Sequence, residues 1–255
     1  GIAWSSSVTS FFQFAILAYA VRSIHVQAGG RNFRAVSGAM IARLLRVGAP
    51  IGTQLLAEVG VFSLVQIIIA TMSTTAAAGH QTALMLASMT FSVCLGIGAA
   101  TSVQVGRSIG QGNLDEARQA GFGGIAVAVA FMCIPSVGMM VVPHFLAGLI
   151  TADNEVIAVA VQLLQIAAVF QVVDGIQSVA SGALRGAGVT RWSMVAHLFA
   201  HWVVGLPIGL ALAFGLDTGA EGLWWGLTIG LGTAAISLGA KFVVISRGPI
   251  QALRV

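Results

Sequence analysis

Long apolar segments separated by short polar connectors dominate this 255-residue chain. A helix that crosses a bilayer needs about 20 mostly apolar residues, and segments of that length recur along the sequence. They predict a partial or complete span at 2–21 and six further spans at about 47–72, 78–106, 119–149, 155–184, 192–215 and 220–245. The expected fold is therefore all-α, a polytopic bundle of transmembrane helices.

The same pattern predicts the domain organisation. Residues 1–21 form the end of one helix, 22–46 a polar and basic connector, 47–245 a six-helix lobe, and 246–255 a short tail. The sequence begins with Gly rather than Met, within a segment typical of the end of a span, and shows no signal-peptide pattern. We expect it to be part of a longer polypeptide.

Composition also indicates a membrane protein. Hydrophobic residues make up 57% of the chain and charged residues 8%, and the mean hydropathy is +0.95, whereas a soluble domain contains about 25% charged residues. The net charge of +4 would suit a nucleic-acid partner in a polar protein, but in a chain this apolar it indicates orientation in the membrane. We expect the lipid bilayer, and not nucleic acid, as a partner.

The basic residues fall on one side of the predicted spans. Alternation of the spans puts all 12 of them on the side of the 22–46 connector, while the opposite loops contain acidic residues such as Asp153 and Glu221. The basic residues are Arg22, Arg31, Arg34, Arg43, Arg46, Arg107, Arg118, Arg185, Arg191, Lys241, Arg247 and Arg254. Because basic loops face the cytoplasm, the connector and the C-terminus are predicted to be cytoplasmic.

Two acidic residues lie near the middle of very apolar segments, Glu58 in LLAEVGVFSLVQIIIA and Asp174 in IAAVFQVVDGIQSVASGAL. A carboxylate at mid-membrane costs about 2.5–3.5 kcal/mol on insertion scales, so it is retained where it faces protein or water. If their helices are neighbours, the two groups can together bind a proton, Na⁺ or an organic cation in competition. The alternative is a protonated carboxyl group that only stabilises helix packing through a hydrogen bond.

Polar side chains accompany both carboxyl groups at helical spacing. These companions are Gln54 beside Glu58, and Gln171, Gln177, Ser178 and Ser181 beside Asp174. A polar stripe on an otherwise apolar helix cannot face lipid, so it must line a cavity or another helix. We predict that Gln54, Gln171, Gln177 and Ser178 line a substrate cavity.

The span that follows His80 carries further candidates for the cavity wall. Gln81 opens it, and Met85 and Met89 follow on the same helix. Flexible, polarisable methionine suits promiscuous apolar binding, so we predict that all three line the cavity. Ordinary core packing and a hydrogen-bonded helix start are the alternatives.

His197 and His201 are four residues apart on one span, the spacing of two helical metal ligands. No Cys, Asp or Glu accompanies them on that helix, which favours packing or a proton-responsive role. The predicted metal site is therefore limited to Na⁺ at Glu58 and Asp174.

Several helix ends and one kink are also predicted. Asn113 with Glu116 has the spacing of a capping box, and Asp153 can cap the helix that follows it. Pro207 lies in the middle of a span and should kink it. The chain contains no nucleophile elbow, P-loop, dinucleotide fingerprint or HExxH motif, so we expect neither an enzyme nor a bound cofactor.

The order of these segments resembles the C-terminal lobe of the MATE (multidrug and toxic compound extrusion) family, nearest its NorM-type branch. The resemblance covers nearly the whole chain. It rests on GAPIGTQLLAEVGVFSLVQIIIA, AAGHQTALMLASMTFSVCLGIGAATSVQVGRSIGQGN, FQVVDGIQSVASGALRGAGVTRWSM and HWVVGLPIGLALAF. It implies one six-helix lobe of a twelve-helix transporter, preceded by the end of the sixth helix.

The resemblance also implies a function. Such proteins export cationic, amphipathic compounds across the bacterial inner membrane in exchange for Na⁺ or H⁺, and two lobes of one polypeptide act together. Glu58 matches the acidic residue of the family's seventh span and Asp174 that of its tenth, which form a cation site in NorM-type members. His201 stands where relatives often have an aromatic residue before the tryptophan, here Trp202.

Two other functions stay open. A lipid-linked oligosaccharide flippase of related architecture should carry several basic residues in its cavity to bind pyrophosphate, and the sequence places no basic residue near mid-span. A membrane scaffold that transports nothing would use the carboxyl groups only for packing.

Overall fold

The computed structural model describes residues 2–27 and 38–248. Part of the predicted 22–46 connector and most of the 246–255 tail lie outside these residues. The chain divides into two units, 1–42 and 43–255. The first contains helix α1 (Ile2–Gln27) and the start of helix α2. The described apolar side chains of α1, such as Phe11 and Phe14, are exposed.

The second unit is a bundle of long helices. They are α2 (Gly38–Met72), α3 (Thr74–Gly110), α4 (Leu114–Val141), α5 (Pro143–Gly148), α6 (Asn154–Gly186), α7 (Thr190–Leu198), α8 (Leu206–Leu210) and α9 (Gly219–Arg247). Two π-helical segments, Phe199–Gly205 and Ala211–Gly215, flank α8 and join it to α7 as one span. Among residues 2–27 and 38–248, six helices are long and apolar enough to cross a membrane, which confirms the predicted all-α bundle with six spans after the first helix.

Helix ends follow the local chemistry of the sequence. Asn113 Oδ1 accepts a hydrogen bond from the Glu116 amide at 3.2 Å, and the Asn113 side-chain amide donates to Glu116 Oε2 at 3.1 Å. Asp153 Oδ1 accepts from the Glu155 amide at 2.9 Å. Both predicted caps are therefore confirmed. Gly112, which directly precedes Asn113, has a φ of +75°, which suits the turn after α3.

Two predicted segments differ in the structure. The span expected at 119–149 begins earlier, at Leu114, and ends at Val141, and α5 follows as a separate helix. Pro143 explains the break because it has no amide hydrogen for the preceding turn. The connector expected to end at 46 does not end there, because α2 is helical from Gly38 and continues into the span.

Helix α6 forms the centre of the second unit. It packs against α3, α4, α5 and α9, and its buried face contains both apolar residues and the polar stripe around Asp174. Small residues bring neighbouring backbones close together: a Cβ on Gly98 of α3 would lie 3.3 Å from the Ser178 carbonyl oxygen of α6. This close contact fixes the height of the polar stripe relative to α3.

The span around Pro207 departs from α-helical geometry on both sides of the proline. π-helical segments have wider turns than an α-helix and are frequently found at functional sites. The first of them, Phe199–Gly205, contains His201 and Trp202. The kink expected at Pro207 stays a prediction.

Candidate cation-binding site

A cavity of about 720 Å³ lies among helices α2, α3 and α6. The three helices present polar groups and aromatic rings to the same space. Its wall consists of Gln54, Leu55, Glu58, Val59, Phe62, Ser63, Gln66, Ile67, Gln81, Leu84, Ala87, Ser88, Phe91, Leu95, Phe170, Asp174, Gln177, Ser178, Ser181 and Arg185. An amphipathic molecule of drug-like size fits a space of this volume and character.

The structure brings Glu58 and Asp174 to the same part of this wall. The Gln177 side-chain nitrogen lies 3.1 Å from Glu58 Oε1 and 3.5 Å from Asp174 Oδ1, so one amide bridges the two carboxyl groups. Asp174 is 5% exposed, whereas Glu58 is half-buried. The two groups interact electrostatically, and each extra positive charge placed between them is stabilised by both.

A buried hydrogen-bond network continues from this pair toward α7. Gln177 Oε1 lies 2.9 Å from His197 Nε2, and the Gln54 side-chain nitrogen lies 3.2 Å from the same ring atom. Gln54 also donates to Ser181 Oγ at 3.0 Å and accepts from Ser193 Oγ at 3.0 Å. Polar groups of α2, α6 and α7 are thus joined in one network inside the bundle.

The two histidines of the α7 span are buried and stacked. Their ring centroids are 5.7 Å apart with an interplanar angle of 14°. His201 Nδ1 lies 2.9 Å from the His197 carbonyl oxygen, and His201 Nε2 is buried with no hydrogen-bond partner. Only His197 of the two joins the network around Gln54 and Gln177.

The neighbouring Trp202 fixes α2 beside the acidic residue. Its indole N–H donates to the Ala57 carbonyl oxygen at 3.1 Å. Ala57 directly precedes Glu58, so this bond holds the α2 backbone against the π-helical segment at the height of the carboxyl pair. Trp202 was not among the site residues predicted from the sequence.

Arg185 is a wall residue that the sequence prediction missed. The prediction placed it on the cytoplasmic side, but its side chain lines the cavity and interacts electrostatically with Glu58. Its Nε atom is buried without a hydrogen-bond partner. A signal existed in the sequence, because Arg185 follows Ser178 and Ser181 at helical spacing and so extends the polar stripe.

The apolar part of the wall includes aromatic rings. Phe62 of α2 and Phe170 of α6 meet edge to face, with ring centroids 6.0 Å apart. Phe170 also packs against buried Trp224 of α9 at 5.5 Å. Trp224 in turn donates its N–H to His80 Nδ1 at 2.9 Å. This chain of rings supports the aromatic wall from behind.

The cavity includes some of the predicted wall residues and leaves out others. Gln54, Gln81, Gln177 and Ser178 line it, whereas Gln171, Met85 and Met89 do not. Their roles, and those of Glu58 and Asp174, stay predictions.

The misplaced residues have a simple geometric explanation. The α3 face toward the cavity contains Gln81, Leu84, Ser88, Phe91 and Leu95. Each methionine comes directly after a residue of this face, so its side chain is turned about 100° away from the cavity around the helix axis. Both methionines are exposed. Gln171 points to α3 instead, where its side-chain nitrogen donates to Thr90 Oγ1 and lies 3.4 Å from the Ala87 carbonyl oxygen.

Known sequences show which proteins this chain is similar to. The profile of the MatE family matches residues 50–211. The multidrug resistance protein NorM of Burkholderia vietnamiensis is 39% identical over 241 residues, which cover 91% of this chain and 52% of that protein. The multidrug resistance protein PmpM of Pseudomonas aeruginosa is 35% identical over 245 residues, covering 93% of this chain and 51% of that protein. The chain spans about half the length of the curated relatives it matches.

Solved structures share the fold at lower identity. The Vibrio cholerae MATE transporter VcmN in its bent form aligns with a TM-score of 0.81 and 17% identity, covering 92% of this chain and 54% of that one. The eukaryotic MATE transporter AtDTX14 aligns with a TM-score of 0.75 and 20% identity, covering 92% and 56%. The sequence profile covers the helices that build the cavity, and the chain therefore belongs to the MatE family.

Proposed function

We propose that this chain is one lobe of a secondary active antiporter that exports cationic, amphipathic organic compounds in exchange for Na⁺ or H⁺. As a MatE family member it is part of a transporter and not an enzyme. The observation that carries the proposal is the pair Glu58 and Asp174, bridged by Gln177 in the wall of a cavity that also presents apolar and aromatic side chains. Organic cations need both features, a place for positive charge and apolar surface for the rest of the molecule.

Competition for the carboxyl oxygens explains how export and ion entry are coupled. A substrate cation, Na⁺ and H⁺ each neutralise the same two groups, so binding of one disfavours the others. In the inward-facing state the free carboxylates bind the organic cation, and its apolar part contacts Phe62, Phe91 and Phe170. After the transporter opens outward, Na⁺ or H⁺ enters and displaces the substrate.

This exchange needs a second lobe to move against the first. Alternating access arises when two helical bundles rock around a site between them, and the relatives are about twice as long as this chain. We infer that the other lobe belongs to the same polypeptide. The distribution of basic residues supports a cytoplasmic C-terminus, and the bacterial relatives are the reason to propose the bacterial inner membrane as its location.

The flippase alternative requires a cavity of the opposite charge. Arg185, in the last turn of α6, does contribute one positive charge to the wall. However, the described wall also contains Glu58 and Asp174, so its formal charge is negative. A pyrophosphate would be repelled by such a wall, and organic cations would be attracted.

The test is transport by the full-length polypeptide in inverted membrane vesicles. We expect uptake of tetraphenylphosphonium to be driven by an imposed Na⁺ or H⁺ gradient, and the effective gradient names the ion. Glu58→Gln and Asp174→Asn should each abolish this uptake. Glu155→Gln, at an exposed carboxylate in the first turn of α6, should leave it unchanged. Normal uptake in the first two variants would refute the proposed coupling and favour a packing role.

A further inference from the structure

A second recess lies between α6 and α9, away from the carboxyl pair. Its volume is about 380 Å³, a size that holds a small molecule or a lipid headgroup. The wall consists of Gln162, Gln165, Ile166, Glu221 and Trp225. Gln165 and Asp174 are nine residues apart on α6, and a rotation of about 100° per residue puts them on opposite faces of the helix. The recess is therefore separate from the substrate cavity.

The polar groups of this recess have no partners in the protein. Within residues 2–27 and 38–248, no side-chain hydrogen bond or ion pair engages the Gln162 and Gln165 amides, the Glu221 carboxylate or the Trp225 indole N–H. Trp225 is 42% exposed, and both glutamines are exposed as well. Polar groups in such a place are stabilised only by water or by a polar ligand.

The recess faces the bilayer near the edge of its hydrocarbon core. In a two-lobe transporter the substrate site lies between the lobes, so the opposite face of α6 is turned toward lipid. Helix α6 has 33 residues and is about 50 Å long, whereas the hydrocarbon core is about 30 Å thick. About 10 Å of a centred helix then extends past each edge, and Gln162 lies about 12 Å from the start of α6. The exposed ring of Trp225 suits this interfacial level.

The charges around the recess favour an ammonium group. Glu221 and Trp225 are four residues apart on α9 and so share one face. A cation beside that face can interact with the carboxylate and with the indole ring together. Glu155 adds a further carboxylate in the first turn of α6, whereas Arg185 and Arg247 lie in the last turns of α6 and α9, on the other side of the membrane.

We propose that this recess binds the headgroup of a zwitterionic phospholipid from the outer leaflet. The ammonium group contacts Glu221 and Trp225, and the Gln162 and Gln165 amides donate hydrogen bonds to the phosphate oxygens. Buried Ile166 provides apolar surface beside them. An anionic lipid lacks the ammonium group and is repelled by the carboxylate. The inference does not depend on which ion drives transport.

The experiment measures lipid binding to the purified full-length transporter by native mass spectrometry, which resolves individual bound lipids. Phosphatidylethanolamine and phosphatidylglycerol with the same acyl chains are titrated separately. We expect Glu221→Gln to weaken phosphatidylethanolamine binding about two- to fivefold, the effect of losing an exposed charge pair. Trp225→Leu should act in the same direction through the lost ring contact. Phosphatidylglycerol binding should be unchanged or stronger in Glu221→Gln.

Two variants serve as matched controls. Glu155→Gln removes a carboxylate on the same side of the membrane but outside the recess, and Trp192→Leu removes a tryptophan of similar exposure at the other side. Neither should change phosphatidylethanolamine binding. Because Glu221 and Trp225 act on one ammonium group, Glu221→Gln should have little further effect in a Trp225→Leu background.

Several results would overturn the lipid site. They are equal losses for the two lipids in Glu221→Gln, additive losses in the double variant, equal losses in the controls, and wild-type phosphatidylethanolamine binding that is absent or that neither recess variant changes. Tetraphenylphosphonium is then added to the Glu58→Gln protein, whose main cavity should bind it weakly. Displacement of phosphatidylethanolamine there would assign the recess to free organic cations instead. Failure of the lipid site would leave gradient-driven uptake, and so the proposed transport function, unaffected.

Discussion

At the scale of residues, the Gln177 amide makes Glu58 and Asp174 one electrostatic unit. It lies within hydrogen-bonding distance of both, at 3.1 and 3.5 Å. A cation bound beside the amide would therefore interact with both carboxylates at once. Effects of residues that act as a unit are not additive, which leads to a specific expectation for the variants.

Neutralising either carboxyl group should weaken cation binding almost as much as neutralising both. We expect Glu58→Gln and Asp174→Asn each to weaken tetraphenylphosphonium binding by about 2 kcal/mol or more, as for other buried hydrogen-bonded charges. The double variant should bind tetraphenylphosphonium more weakly than either single variant. However, its loss of binding free energy should be smaller than the sum of the two single losses. Equilibrium binding to the purified full-length transporter measures all three. Fully additive losses would instead indicate two independent cation sites.

Arg185 opposes cation binding in the same cavity. Its guanidinium lines the wall and interacts electrostatically with Glu58. We expect Arg185→Gln to strengthen tetraphenylphosphonium binding about two- to fivefold, which corresponds to the ~0.5–1 kcal/mol of a solvent-accessible charge pair. Arg185→Lys keeps the charge and serves as the control. The gain should shrink with added salt, and weaker binding by Arg185→Gln would contradict the assigned role.

At the scale of elements, the contact of α3 with α6 sets the height of the polar stripe. Gly182 of α6 faces the backbone of Gly98 of α3, and a Cβ there would lie 2.9 Å from the Gly98 carbonyl carbon. Neither backbone can yield without separating the helices. Ser181 and Asp174 lie on the same helix, so a separation would also displace the cation site.

Gly182→Ala should therefore destabilise the lobe by about 1–3 kcal/mol, the usual cost of overpacking. We expect a lower apparent melting temperature in detergent and weaker tetraphenylphosphonium binding together. Gly96→Ala is the matched control on α3, because a Cβ there meets nothing within 4 Å. It should be neutral or slightly stabilising, since alanine is the better helix former. Equal melting temperatures for the two variants would contradict the close contact.

Elements were predictable from the sequence where a local rule decides the outcome. Spans follow from apolar length, and the caps at Asn113 and Asp153 follow from side-chain chemistry next to the helix start. The break at Pro143 follows from the same kind of rule, although apolar length alone predicted one continuous span. Residues that face the cavity were less predictable, since facing depends on how each helix is rotated against its neighbours.

Met85, Met89 and Arg185 illustrate this limit. The two methionines are one helical step away from the wall of α3, and single-residue steps rotate a side chain by about 100°. The span was predicted to end at 184, just before Arg185, but α6 continues to Gly186 and includes it. The carboxyl pair was predictable, because a charged side chain inside an apolar span is tolerated in few environments other than a cavity.

At the scale of the whole molecule, the helix ends sort into two groups. The Trp224 N–H bonds to His80, which brings the second turns of α9 and α3 together. Lys241 lies over the Trp192 ring at 4.8 Å, which brings the end of α9 to the start of α7. The basic residues lie in the group of helix ends that includes the end of α9 and the start of α7. The described loops of this group should therefore face the cytoplasm.

Reporter fusions test this orientation directly. Alkaline phosphatase, which is active only outside the cytoplasm, should be inactive when fused after Gln111, Ala187 or Arg247, and active after Thr151 or Leu216. The reason is that each span between these points crosses the membrane once, so successive loops alternate sides, and the arginine-rich side stays in the cytoplasm. A fluorescent protein that folds in the cytoplasm should give the reverse pattern at the same five positions, which controls for expression. Activity of the phosphatase after Arg247 would invert the orientation, and the substrate cavity would then bind its cation from the wrong side for export.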